Sequence, residues 1–433
     1  MKRIVLILAS AASSALALHG QTTNVPSVLT LADAEKIALK FHPQIAQANY
    51  LALAAQEAVT EARAGYLPTV NLYADAVGAN NEGARVTAGG LNNPSVYDRA
   101  AAGMQLNQLI TDFGHTANLM ASSRYSAMAA SQTANETREQ VLLGADTGYF
   151  SALAAQAVLR VARQTLDTRQ VLLDQITELA TNKIKSELDV SFAQVEVQQA
   201  RLLLEQAQNN ADAAMATLST ALGYSEFHQF QLVDESPQTN SATGDVSDLV
   251  QTALARRPEL LSLRNDRDAA IHYARAERDA RLPAIEAVGV AGLAPWRNDG
   301  DLHYNYAAGG VQLDLPVFAG GLYVSRQREA EFRARADDET LRSVQNDVIR
   351  DVRIAWLDVN DAIEQLRTTK ELTANAGESF TLAQARYASG LSSIVELSDA
   401  QLNLTSAQIQ EANAQYNVLV QQANLNYQMG VIQ

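Results

Sequence analysis

Two short stretches, "ATNKIKSELDVSFAQVEV" (residues 180–197) and "YASGLSSIVELSDAQLNL" (residues 387–404), superimpose at a separation of 207 residues. Ser186 then coincides with Ser393, and Gln194 coincides with Gln401. In both stretches an acidic residue follows an apolar one, Asp189 in the first and Glu396 in the second. The same acidic turn therefore occurs twice in the chain.

The repeat extends far beyond these turns. "ALKFHPQI" (38–45) aligns with "ALARRPEL" (253–260), and "GYLPTV" (65–70) with "ARLPAI" (280–285), both at a separation of 215 residues. From Gly114 and Gly321 onward the separation is 207. The difference of eight residues is confined to one segment of each copy, which marks that segment as a loop and the chain as a tandem duplication.

Proline placement divides each copy into two parts. None of the nine prolines lies in residues 95–236 or 317–433, where strong helix formers such as Ala, Gln, Leu, Glu and Arg dominate. Apolar residues at steps of three and four predict amphipathic helices. We expect long helices at 115–180, 187–222, 322–387 and 394–429, the first about 100 Å long at 1.5 Å per residue. Their small, Ala-rich faces favour extended coiled-coil packing.

Between each Leu-Pro pair and the following long helix, the apolar period changes to two. "TVNLYADAVG" (69–78), "GMQLNQLI" (103–110) and "GVQLDLPV" (310–317) alternate clearly, and "AIEAVGVAGLA" (284–294) does so weakly. Segments of about ten residues suit strands that cross a bilayer at a tilt. We therefore expect β-hairpins at 69–110 and 284–317, with polar outer loops at 79–98 and 295–304. A soluble hairpin that caps a helical rod is the alternative.

Membrane insertion of these hairpins requires several chains. Four strands cannot close a barrel, and open strand edges cannot lie in lipid because each unpaired backbone group costs several kcal/mol there. Two chains would give an eight-stranded barrel, whose interior is filled by side chains. Three chains would give a twelve-stranded barrel, which leaves a lumen.

Composition narrows the class of protein. The formal net charge of −15 argues against nucleic acid and anionic membrane surfaces as partners, and the absence of cysteine excludes disulfides and thiolate metal sites. "MKRIVLILASAASSALA" (1–17) has the layout of a secretory signal peptide, with a single membrane anchor as the alternative. The six histidines are scattered, and no Ser/His/Asp arrangement stands out. We therefore expect neither enzymatic activity nor a cofactor or metal.

The ordered set of features resembles the TolC-like outer membrane efflux protein family. The features are the signal peptide, "LADAEKIALKFHPQI" (31–45), a Leu-Pro pair before each hairpin, and the two-fold repeat with its helical turns. The resemblance implies a mainly α fold with a membrane β-barrel part. In a homotrimer, a twelve-stranded barrel in the outer membrane continues as an α-helical coiled-coil barrel in the periplasm. The repeats are residues 18–223 and 249–433, joined by an equatorial linker at 224–248.

The resemblance also implies partners and a gate. Such ducts dock a periplasmic adaptor (a membrane fusion protein) and an inner-membrane transporter, and pass drugs, ions or proteins to the exterior. The acidic turns become periplasmic tips, where the aperture residues correspond to Asp189, Tyr387, Glu396 and Asp399. A hydrogen bond between Asp189 and Tyr387 is expected in the closed state. The family's second-tip arginine falls at Ser392, so that contact is missing.

Other tip residues are expected to contact partners or neighbouring coils. Lys183, Lys185, Gly390 and Ser392 are the candidates for adaptor docking, and the two lysines also for replacing the missing arginine contact. Acids near a helix N-terminus also complement the helix dipole, which is the alternative explanation for Asp189, Glu396 and Asp399. A periplasmic coiled-coil adaptor, or a structural protein of the envelope, is the alternative for the whole chain.

Overall fold

The computed structural model describes residues 28–78, 99–234, 245–297 and 303–432. The expected signal peptide, the loop 79–98 and parts of the second loop and of the linker lie outside these ranges. In chain order the elements are β1 (Val28–Leu29), α1 (Leu31–Phe41), α2 (Pro43–Ala64), β2 (Thr69–Val77), β3 (Arg99–Thr111), α3 (His115–Thr181), α4 (Glu187–Ala221), β4 (Gln231–Leu232), α5 (Val246–Arg256), α6 (Pro258–Asp279), β5 (Ala284–Arg297), β6 (Asn305–Asp314), α7 (Leu322–Ala388) and α8 (Ile394–Gln428).

The long helices come in two matched pairs. Helices α3 and α7 have 67 residues each, and α4 and α8 have 35 each. Their bounds lie within one residue of the ranges expected from sequence. At 1.5 Å per residue, α3 and α7 are each about 100 Å long. Among the helices of the described residues, none is apolar over a long enough stretch to cross a membrane.

A four-stranded antiparallel sheet, in the order β2-β3-β5-β6, joins the two hairpins. Val70 pairs with Leu106, which in turn pairs with Gly289, so these residues share one face. The same register places the large apolar side chains together on that face, where they are exposed: Val70, Leu72, Met104, Leu106, Val311 and Leu313. The opposite face carries the polar residues Asn71, Asp75, Gln105, Asn107, Glu286, Gln312 and Asp314.

The last strand is shorter at its end than the alternation predicted. The pattern of residues 310–317 suggested a strand to Val317, but β6 ends at Asp314. Pro316 has no N–H to donate to a neighbouring strand, so the ladder stops before it. The chain then turns into α7 through Gly320 and Gly321, whose φ angles of 59° and 87° favour glycine.

The helices form a curved wall with two open edges. In the part next to the sheet, the order of contact is α2, α3, α6, α7; towards the opposite end it is α4, α3, α8, α7. Both edge regions expose large apolar side chains. On one edge these are Tyr50 of α2 with Leu188, Val195 and Leu202 of α4; on the other they are Phe332 and Leu357 of α7.

A belt of short elements surrounds the middle of the wall. Strand β1 pairs in parallel with β4, and the Tyr149 hydroxyl lies 2.9 Å from the Leu29 carbonyl and 2.8 Å from that of Val233. Helices α1 and α2 meet at His42, the N-cap of α2, whose Nδ1 accepts from the Gln44 N–H at 3.3 Å. His42 therefore caps the N-terminus of that helix.

The two repeats form the same close contact in this belt. Gly223 follows α4 with a φ of 86°, and a Cβ atom there would lie 2.8 Å from the His42 Cα. Gly430 follows α8 with a φ of 66°, and its Cβ would lie 3.0 Å from the Arg257 backbone nitrogen. His42 and Arg257 occupy equivalent elbows of the two repeats, so each long hairpin ends on the elbow of its own copy.

Candidate functional site

The two tips are built on the same backbone turn. After α3, the Ile184 N–H donates to the Leu179 carbonyl and the Lys183 N–H to that of Ala180, both at 2.9 Å. After α7, Leu391 and Gly390 donate in the same way to Arg386 and Tyr387. This six-to-one and five-to-two pattern requires a left-handed residue after the C-cap. Gly390 fills that position with a φ of 74°, whereas Lys183 fills it with a φ of 62°.

Serine caps begin the second helix of each tip. Ser186 accepts from the Asp189 N–H at 3.2 Å, and the Asp189 carboxylate accepts from the Ser186 N–H at 3.2 Å. Ser393 accepts from the Glu396 N–H at 3.3 Å. Asp189 therefore has a local structural role as half of a capping box. The acidic residues of both turns stand where they complement a helix dipole, as the alternative explanation proposed.

Tyr387 is buried at the centre of the tips. It is 5% exposed and packs in one cluster with Ile176, Ala193, Leu397 and other residues from all four long helices. Its hydroxyl has no hydrogen-bond partner within the described residues. Burial, reinforced by the Asp189 carboxylate, raises the pKa of Tyr387. Within this chain the Tyr387 hydroxyl forms no hydrogen bond with Asp189, whose Oδ2 accepts from the Ser186 N–H. The hydrogen bond expected across adjacent coils in the closed state stays a prediction.

The side chain that contacts Tyr387 is instead Lys185. Its Nζ lies 3.8 Å from the centroid of the Tyr387 ring and donates to the Tyr387 carbonyl at 3.3 Å. The first contact is a cation–π interaction, and the second places a positive charge at the C-terminus of α7. Lys183 is exposed in the same turn. Of the two lysines, therefore, only Lys185 joins the first tip to the second.

The acids of the second tip face an arginine that sequence reasoning missed. Arg386 Nε lies 3.1 Å from Glu396 Oε1. Both residues line an open groove between α7 and α8, together with Asp399, Glu378 and Leu382. Arg386 is the basic residue of the last turn of α7. Because a short loop brings the last turn of one helix close to the first turn of the next, this position could have predicted the ion pair with Glu396.

The remaining docking candidates are separate from this contact. Gly390 holds the turn, and a Cβ there would meet no atom within 4 Å. The Ser392 hydroxyl is buried and has no partner in the described part of the chain. Within the described residues, neither forms a side-chain hydrogen bond with another site residue. The structure therefore brings Lys185, Tyr387 and Asp189 together at one point, and Arg386, Glu396 and Asp399 in a neighbouring groove.

Buried ionisable groups also occur in the belt, far along α3 from the tips. Asp146 is 7% exposed and faces Glu35 of α1. Burial, together with the Glu35 carboxylate, raises the pKa of Asp146 to about 7. Burial likewise raises the pKa of Glu139 to about 7, although Arg257 opposes this shift. Within the described residues no group of three or more histidine, aspartate or glutamate side chains is placed to hold a metal ion.

Comparison with known proteins relates this architecture to outer-membrane channels. The family model described as "Outer membrane efflux protein" matches residues 36–224 and 249–431. Outer membrane protein TolC of Escherichia coli is 26% identical over 450 residues, covering 100% of this chain and 87% of that protein. Alkaline protease secretion protein AprF of Pseudomonas aeruginosa is 24% identical, covering 93% of this chain and 85% of AprF.

Solved structures share the fold. The crystal structure of the outer membrane protein VceC from Vibrio cholerae superimposes with a TM-score of 0.78 at 16% identity, covering 92% of this chain and 96% of VceC. The family match spans both repeats and most of the chain. The chain belongs to the outer membrane efflux protein family.

Proposed function

We propose that three copies of this chain form a duct that crosses the outer membrane and extends into the periplasm. The chain is an outer-membrane duct of efflux and secretion systems, and each repeat, 18–223 and 249–433, supplies one β-hairpin and one helical hairpin to its wall. The observation that carries the proposal is the sheet: one face is apolar and exposed, the other is polar, and its two outer strands are β2 and β6.

Only the apolar face of this sheet suits contact with lipid. An exposed apolar face of this size is unusual on a soluble surface, whereas apolar-out and polar-in alternation is typical of membrane strands. In the described part of the chain, no strand pairs with the outer edges of β2 and β6. Because unpaired edges are not tolerated in lipid, the sheet of one copy needs the sheets of others, and three copies supply twelve strands.

The helical wall supports the same assembly. Its exposed apolar edges differ, α2 and α4 on one side and α7 on the other. Contact between two different edges is heterologous. Such contacts generate a closed ring when the rotation between successive copies adds up to a full turn. In a ring of three, α7 of one copy packs beside α2 and α4 of the next.

The tips then become the periplasmic aperture. The residues that line or support the aperture are Asp189, Tyr387, Glu396 and Asp399. The residues that contact a periplasmic adaptor are Lys183, Lys185, Gly390 and Ser392. The groove between α7 and α8 suits docking of an adaptor helix because it is open and edged with polar residues. An inner-membrane transporter supplies the energy. The names of the relatives indicate secretion for AprF and toluene efflux for TtgC of Pseudomonas putida, and either class of cargo suits this duct.

Matched variants on the two sheet faces test the membrane assignment. Leu72→Glu places a charge on the apolar face and Asn71→Glu places one on the polar face of the same strand. A charge facing lipid is destabilising, by roughly 2–4 kcal/mol for Arg or Lys at mid-membrane and by less for Glu. We expect only Leu72→Glu to be lost from outer membranes after salt and alkaline washing, while wild-type protein and Asn71→Glu remain and migrate as trimers in detergent. Wild-type protein that is washed off would favour the adaptor alternative.

A further inference from the structure

Lys185 makes a direct contact between the ends of the two helical hairpins. It lies in the short loop between α3 and α4, and its ammonium group reaches both the ring and the carbonyl of Tyr387, 202 residues away. The carbonyl belongs to the last turn of α7 and also accepts from the Gly390 N–H at 3.1 Å. Lys185 of the first tip thus contacts both the side chain and the backbone of Tyr387 in the second tip.

The contact exists only once, although the tips are repeats of one another. At the separation of 207 residues, Lys185 is equivalent to Ser392 and Tyr387 to Ala180. Neither Ser392 nor Ala180 can reproduce a cation–π contact, because one lacks the charge and the other the ring. The duplicated tips therefore share their backbone turns but differ in this polar contact between them.

The surroundings favour a charged lysine at this position. The Tyr387 ring is buried among Ile176, Ala193 and Leu397, so the ring is held in a fixed orientation under the ammonium group. The Tyr387 carbonyl, in the last turn of α7, lies 3.3 Å from the same ammonium group. A half-buried cation that contacts both a ring and a helix C-terminus is better satisfied than an exposed one.

We propose that Lys185 is a positioning residue of the aperture, which holds Tyr387 and the end of α7 against the first tip and so keeps the two hairpins of each copy together. This inference rests on the proposed duct function. Any widening of the aperture that moves the α7–α8 tip away from the α3–α4 tip must break this contact. Lys185 therefore sets how often the aperture opens, and it acts through Tyr387.

The test compares Lys185→Met with Lys370→Met, because both remove one positive charge and only the first removes the contact; Lys370 is exposed on α7 away from the tips. Purified trimers are inserted into planar lipid bilayers, and single-channel openings are counted. Loss of a partly desolvated cation–π contact shifts an equilibrium by about fivefold to thirtyfold. We expect Lys185→Met to raise the opening frequency by that factor, with Lys185→Arg and Lys370→Met within about twofold of wild type. Equal opening of Lys185→Met and wild type, or an equal effect of Lys370→Met, overturns the proposal.

A second measurement separates this inference from the duct function. Amide hydrogen exchange at Gly390 and Leu391 is followed in the detergent-solubilised proteins, where no conductance is needed. We expect faster exchange in Lys185→Met than in Lys370→Met, and equal rates overturn the positioning role. If wild-type protein forms no channel but Lys185→Met still exchanges faster than the control, the duct function is contradicted and the positioning role of Lys185 is not. If Lys185→Met does not assemble, Lys185→Gln takes its place with the same criteria.

Discussion

Arg386 Nε lies 3.1 Å from Glu396 Oε1, so an arginine in the last turn of α7 faces the first acid of α8. In the proposed ring of three copies, Glu396 and Asp399 supply six acids to the aperture, and this pairing offsets the charge of three of them. Asp399, one turn further along α8, has no ion-pair partner among the described residues. The selectivity of the aperture is therefore expected to depend on Asp399 more than on Glu396.

Removal of the arginine is expected to strengthen cation selectivity. Arg386→Gln exposes the full charge of Glu396, and the ratio of potassium to chloride permeability in planar bilayers should rise about twofold or more. Asp399→Asn should lower the same ratio more than Glu396→Gln does. Arg342→Gln is the control, because Arg342 pairs with Glu339 elsewhere on α7. An unchanged ratio in Arg386→Gln would show that the pair does not influence permeating ions.

Lys183→Gly is expected to stabilise the first tip. Lys183 has a φ of 62°, and a left-handed conformation costs a residue with a Cβ about 1–2 kcal/mol relative to glycine. The second tip already has Gly390 at the equivalent position. We expect a gain of about 1 kcal/mol, measured as a higher temperature of unfolding in detergent. Asn182→Gly, at a φ of −83°, is the control and should lower that temperature.

Gly223→Ala and Gly430→Ala are expected to be destabilising. In both, the new Cβ meets the backbone of an elbow at 2.8–3.0 Å, and the φ angle remains in the left-handed region. We expect a loss of at least about 2 kcal/mol for Gly223→Ala and somewhat less for Gly430→Ala. Gly144→Ala is the matched control, because Gly144 lies within α3 with no atom near its Cβ position, so alanine should stabilise that helix. A Gly223→Ala protein as stable as wild type would contradict the close contact.

Stability is expected to fall as the pH rises from about 3.8 towards the raised pKa of Asp146, about 7. The folded protein holds the proton of this carboxyl up to a pKa of about 7, whereas the ordinary value is 3.8, so the folded state binds more protons between these values. The free energy of unfolding therefore decreases with rising pH across this window, by about 2–4 kcal/mol in all.

Asp146→Asn tests this pH dependence. The amide is neutral at every pH, so the variant should be more stable than wild type at pH 8 and should lose less stability between pH 5 and pH 8. Thermal unfolding of the solubilised proteins at the two pH values measures both effects. Asp167→Asn, on an exposed part of α3, should leave the wild-type pH dependence in place. The same pH dependence in Asp146→Asn and wild type would contradict the buried acid.

Much of the fold followed from local patterns. Proline-free stretches with a three-to-four-residue period predicted α3, α4, α7 and α8 to within one residue, because helix formation depends on neighbouring residues. The strand β5 had only a weak pattern, yet it is the longest strand, with 14 residues. Its Gly and Ala residues carry little alternation, and pairing on both sides by β3 and β6 compensates for this.

The candidate site was only partly predictable. Sequence comparison located the tips and their acids, and the resemblance singled out Tyr387. The hydrogen bond expected between Asp189 and Tyr387 across adjacent coils stays a prediction; within this chain Asp189 forms a local cap, and Lys185 contacts Tyr387. Arg386 was missed because its role depends on where the end of α7 lies relative to α8.

The sequence by itself determined the duplication, the long helices, the alternating strands and the family. These features are periodic or repeated, and a period can be recognised from residues close together in the chain. Only the tertiary structure decided that Lys185 meets Tyr387, that Gly223 and Gly430 touch the elbows, and that the sheet has one apolar face across four strands. Each of these joins residues far apart in the chain, and the distance between such residues depends on how whole helices and strands pack.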